Sequence, residues 1–139
     1  PAEPQHRVRV AGPGAPIAVC RRANTVLDFG RPPGRRLLEC TDVALGTDNV
    51  MLNSPSMFRE MAFTAKRFDL SSRTVLRMAT RAGARAVGLE CGVIEPGMRA
   101  ALQVVDGGSD NLAAVADPLD AVVRRAGPSD VDRVIWAES

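Results

Sequence analysis

Apolar residues follow two spacings along this chain of 139 residues. Short unbroken runs, PIAVC at 16–20 and DVALG at 42–46, have the composition of strands buried on both faces. The stretch between them is long enough for a crossover, so the two runs predict a parallel βαβ unit. RRANTVLDFGRPPG reads as a long loop within that crossover, and Arg35 to Cys40 as a short helix after Pro32-Pro33. A different spacing begins after Pro55. Met57, Met61, Ala65 and Phe68 recur every three or four residues with Arg59, Glu60 and Lys66 between them, which predicts an amphipathic helix with one apolar face. Val75, Met78, Ala79 and Ala82 form a second stripe that Ser71 or Ser72 can cap, Gly83 interrupts it, and a short turn from Ala84 ends at Gly88.

The pattern changes again towards the end. ALQVVD (101–106) and VDRVIWA (131–137) read as strands, a Pro-Gly turn precedes the first, and DPLDAVVRRAG between them tolerates a helix. Residues 1–15 are rich in Pro and Gly and read as an irregular leader in which only HRVRV alternates like a strand. The resulting division is 1–15, 16–90 and 91–139.

With 45% hydrophobic and 24% charged residues, the chain has the composition of a globular domain with a core. The net charge of +2 is nearly balanced, and the Arg pairs 21–22, 35–36 and 124–125 are separated by apolar runs and read as solvated or paired faces. A nucleic-acid surface needs clustered charge and stacking aromatics, and four Phe and one Trp supply few of the latter. No run approaches the roughly 20 apolar residues of a membrane span. Cys20, Cys40 and Cys91 have no CxxC spacing, so a reduced, cytoplasmic setting is expected. Cys20 reads as a small buried residue rather than a nucleophile.

One position invites chemistry. Asp48, flanked by Thr47 and Asn49, follows the second apolar run where the strand gives way to a loop. An acid there either closes the turn on nearby N–H groups or holds something.

PIAVCRRANTVLDFGRPPGRRLLE, VALGTDNVMLNSPSMFREM, LRMATRAGARAVGL and GVIEPGMRAALQVVD together resemble the carboxyl-terminal portion of the metal-dependent amidohydrolase superfamily, in its cytosine-deaminase-like and triazine-chlorohydrolase-like branch. The resemblance runs from about Pro16 to Trp136. It implies an α/β fold: the end of a (β/α)₈ TIM-like barrel, with its last two strands and following helices, plus strands of a small β-sandwich. Active sites of such barrels lie at the carboxyl ends of the strands. Asp48 would then be the last-strand aspartate, which in the family ligates a divalent metal, zinc or iron, and takes the proton of the attacking water. Cys20, Asn24 and Asn49 would face a small heterocyclic or amine-bearing substrate. A bound cation lowers the pKa of water to roughly 7, and a carboxylate beside it can accept a proton and return it to a leaving nitrogen.

The chain departs from that pattern in its donors. Its single histidine, His6, lies in the leader, whereas the family holds its metal with several imidazoles. Arg21 follows Cys20 where some relatives have Pro, and Ala101 stands where an Asp is usual. The expectation is therefore a hydrolase of non-peptide carbon–nitrogen bonds, of deaminase or chlorohydrolase type. Its site would be completed by a missing amino-terminal barrel portion or by an oligomer partner. The alternative is a non-catalytic remnant or interaction module that docks through its apolar helices.

Overall fold

A computed structural model describes residues 15–28, 38–39 and 41–136. The HRVRV segment, His6, Cys40 and most of the expected helix at 35–40 lie outside the described residues.

Two short strands form the first layer. β1 (Ile17–Val19) and β2 (Val43–Leu45) pair in parallel, with Ile17 opposite Val43 and Val19 opposite Leu45. The ladder is prolonged by Ile17 N–H to the Asp42 carbonyl at 3.1 Å and by Gly46 N–H to the Val19 carbonyl at 3.0 Å. β2 is buried throughout, as an unbroken apolar run predicts, but Ala18 of β1 is exposed. The segment read as a long loop opens instead with a helix, α1 (Arg21–Val26). Nothing in its sequence announces it, since Cys20 offers no side-chain cap and the first turn holds no acid. Tertiary bonds to its first residues supply what local propensity lacks.

α2 (Met57–Arg67) and α3 (Ser72–Ala79) follow the apolar spacing closely. Ser56 caps the first by accepting Arg59 N–H at 3.4 Å, and Ser71 caps the second by accepting Thr74 N–H at 3.2 Å. The break in the second stripe falls at Thr80, three residues before Gly83. Thr80 leaves helical geometry at φ −117° and ψ −89°, and α4 (Arg81–Ala86) resumes with Gly83 inside it. Gly92 packs against that corner with φ +84°; a Cβ there would stand 2.8 Å from the Thr80 carbonyl carbon.

β3 (Ala101–Val105) and β4 (Val131–Trp136) pair antiparallel, joined by α5 (Pro118–Arg125) and a 3₁₀ turn at Pro128–Asp130. α5 reaches beyond its own strands. It packs on α2 and α3, and Val123 enters the same core as Val19, Val43, Leu45, Met61, Ala65, Leu70, Val75 and Met78. Burying one such side chain contributes about 1.5–3 kcal/mol. A smaller cluster of Leu112, Ala121 and Ala126 sits beneath the strand pair. Val134, Ile135 and Trp136 stay largely exposed on β4. Among the described residues no helix is long and apolar enough to cross a membrane.

Candidate functional site

The carboxyl ends of β1 and β2 point the same way, because the strands are parallel, and this brings Cys20 and Asp48 together. Gly46 permits the approach: a Cβ at that position would meet Cys20 Sγ at 3.0 Å. The Asp48 backbone N–H donates to the Cys20 sulfur. Asp48 itself adopts φ +56°, a left-handed conformation that Asp tolerates better than most residues. Its side chain is exposed at the end of the two-stranded layer, free of the turn-closing role open to it.

Asn49 takes that role. Its Oδ1 accepts Met51 N–H at 2.8 Å, and its carbonyl accepts the N–H groups of Leu52 at 3.0 Å and Asn53 at 3.3 Å. Asn24 is half-buried one turn into α1, where its N–H donates to the Cys20 carbonyl at 2.9 Å. Cys20, Asn24, Asp48 and Asn49 thus all stand on the two segments that leave the parallel strands.

Two charged residues, Glu60 from the polar positions of the predicted helix and Arg21 from a pair read as a solvated or paired face, are buried beside this group. Glu60 lies on α2 with no exposed surface, and Arg21 opens α1 at 1% exposure. Arg21 lays its guanidinium 4.3 Å from the centroid of Phe68, an attraction of about 2 kcal/mol when desolvated. Burial holds its pKa below the usual guanidinium value. Glu60 shares its side of α2 with Met57, Met61, Thr64 and Ala65, at offsets of one, three, four and five. A stripe drawn without regard to polarity would have included both Glu60 and Thr64.

The electrostatics are set by removal from water. Burial raises the Glu60 pKa, opposed by the Arg22 N–H and the Arg22 charge. Burial also raises the Cys20 thiol, assisted by the carboxylates of Asp48 and Glu60 and opposed by the Asp48 N–H. A thiol so placed stays protonated and is a weak nucleophile.

A resident divalent metal needs about three protein ligands in a catalytic site. Among the described residues, no group of three or more His, Cys, Asp or Glu side chains could hold one. A single exposed carboxylate such as that of Asp48 cannot complete such a site.

The sequence profile of the Amidohydrolase family matches residues 3–137. A protein of Pyrococcus abyssi named 5-methylthioadenosine/S-adenosylhomocysteine deaminase is 34% identical over 91% of this chain and 32% of its own length. A 5'-deoxyadenosine deaminase of Methanosarcina mazei is 36% identical over 81% of this chain and 28% of its own. The fold is similar to that of a zinc-bound adenosine deaminase from Xanthomonas campestris, with a TM-score of 0.79 and 31% identity over 87% of this chain and 30% of that one. A mutant atrazine chlorohydrolase from Arthrobacter aurescens TC1, complexed with zinc and atraton, gives a TM-score of 0.73 and 25% identity over 86% of this chain and 29% of that one. The chain spans about a third or less of the length of these proteins.

Proposed function

The chain belongs to the amidohydrolase family, and from that premise we propose that it forms part of a hydrolytic deaminase acting on an amino-bearing heterocycle of the adenosine kind. β1 and β2 are taken as the last two strands of a (β/α)₈ barrel, and β3 and β4 as strands of a small β-sandwich. The division at about residue 90 belongs to the same proposal. One observation carries the reading: parallel pairing sets Asp48 beside Cys20 at the carboxyl ends of two strands. The relatives of 31–36% identity, all named as deaminases, favour deamination over dechlorination.

In this scheme Asp48 accepts the proton of the attacking water as oxygen bonds to the ring carbon. It returns that proton to the amino group as the carbon–nitrogen bond breaks, so substrate and water leave as the oxo product and ammonia. Asn24 and Asn49 are assigned to substrate contact and Cys20 to the pocket wall. The described residues do not fit a whole site for the zinc or iron of such enzymes, so the remaining ligands are assigned to the missing barrel portion or an oligomer partner. The working setting is the cytoplasm.

The test is ammonia release from 5'-methylthioadenosine and adenosine, with metal content measured in parallel, for the chain alone and recombined with an amino-terminal barrel portion of a matching relative. Turnover only on recombination, reduced by roughly 10²–10⁴-fold in Asp48→Asn, is the expected result. Absence of both metal and turnover in the recombined protein would overturn the reading. That outcome would favour a non-catalytic interaction module, for which the exposed apolar side chains of Ile94, Val134 and Trp136 are the supporting observation.

A further inference from the structure

Glu60 and Arg22 tie together the segments that follow β1 and β2, and we infer that this pair is a positioning device holding the Asp48 loop against Cys20 and Asn24. Its purpose rests on the functional reading above, whereas its existence rests on geometry. Glu60 Oε2 accepts the Arg22 backbone N–H at 3.3 Å, and Oε1 lies 3.6 Å from the Arg22 guanidinium. That guanidinium also donates to the Ser54 carbonyl at 3.1 Å and to Asn53 Oδ1 at 3.2 Å. One side chain thus joins α1, the stretch that ends the Asp48 turn, and α2. α1 carries Asn24 and the loop stretch follows Asn49, both assigned to the site, while α2 supplies the anchoring carboxylate.

A buried carboxylate is a poor choice for stability alone. Desolvating it costs several kcal/mol, and apolar replacements of buried ion pairs are often neutral or stabilising. What an apolar side chain cannot supply is direction. Glu60 fixes the backbone of the residue two positions after Cys20, and Arg22 hands that constraint on to a loop more than thirty residues later in the chain. Among the described residues Oε1 has no hydrogen-bond donor of its own, so the carboxylate depends on Arg22 for compensation. The two residues form one unit.

Amide hydrogen exchange on the chain tests the device, with Arg22→Met, Arg22→Lys and Glu60→Gln as variants. Met and Lys both keep the apolar stem, but only Lys keeps a cation that can reach one acceptor. Arg22→Met should speed exchange in 49–54 about tenfold or more while α2 and α3 keep their protection, and Arg22→Lys should recover part of the loss. Equal exchange in the Met and Lys variants, or unchanged exchange in 49–54, overturns the inference. Should Arg22→Met lose protection throughout α2 and α3, Glu60→Gln carries the test. Loosening confined to 20–26 and 49–54 supports the device, and none there refutes it. The exchange readout requires neither metal nor turnover, so this inference and the deaminase reading fail separately.

Discussion

Gly46 shows how much of the site hangs on one missing methyl group. A Cβ there would sit 3.0 Å from Cys20 Sγ, closer than packed atoms allow without movement. Gly46→Ala should cost about 1–3 kcal/mol, the usual range for overpacking, measured by urea unfolding. Asp130 makes a separate case for pH. The Gly127 N–H, at 2.8 Å, is the main cause of its lowered pKa, and the Asn111 side-chain amide, at 3.2 Å, assists. A carboxylate whose folded pKa lies below its ordinary value of 3.8 contributes stability that is fully present above that value. That stability is lost as the pH falls through the folded value. Glu60 runs the other way: its raised folded pKa makes its contribution fade as pH rises past 4.5. Unfolding midpoints measured from pH 2 to 8 should therefore show an acid limb that Asp130→Asn flattens. The roles of Gly46 and Glu60 were not legible locally, because each depends on a partner distant in sequence, Cys20 and Arg22, whereas Asp130 bonds chiefly to Gly127, three residues away.

At the scale of elements, agreement between sequence and structure follows the strength of the local signal. α2, α3 and α5 each carry an apolar stripe and a capping side chain, and each forms near where the pattern places it. α5 is the clearest: Asp117 Oδ1 accepts Leu119 N–H at 2.9 Å and Asp120 N–H at 3.2 Å, with Pro118 in the first turn. Asp117→Ala should lower stability by about 1 kcal/mol, and circular dichroism during thermal unfolding would register the loss. α1 was missed because it has neither stripe nor cap; its start is fixed by Glu60, which lies 38 residues from Arg22. The break expected at Gly83 falls at Thr80 because the Thr80 hydroxyl donates to the Leu76 carbonyl at 2.8 Å and Gly92 packs on the corner. Glycine lowers helix propensity without forbidding helix, and tertiary packing overrode it.

For the whole molecule the governing fact is where α5 docks. It lies between β3 and β4 in sequence, yet Val123 is fully buried in the core of the first layer, and Ser72 Oγ donates to Asp120 Oδ1 at 2.5 Å. α5 therefore links the core of the first layer, through Val123, to the smaller cluster at the second strand pair, through Ala121. Unfolding should be a single transition, with helical circular dichroism and the fluorescence of Trp136 on β4 changing together. Val123→Ala removes two buried carbons at about 0.8 kcal/mol each and leaves a cavity besides. It should lower both signals by the same amount, about 2–3 kcal/mol. Separate transitions would show that the two pairs hold together independently.

By itself the sequence determined the elements with strong local period, the kinship of the four blocks, and Asp48 as the acid at a strand end. Those depend on spacing, caps and residue type, which are written in neighbouring positions. Only the tertiary structure decided that Cys20 meets Asp48, that a buried Glu60 pairs with Arg22, and that α5 also packs on the first layer. Each of these joins residues distant along the chain, and burial of a polar group becomes affordable only once its partner is in place, so no local pattern could announce them.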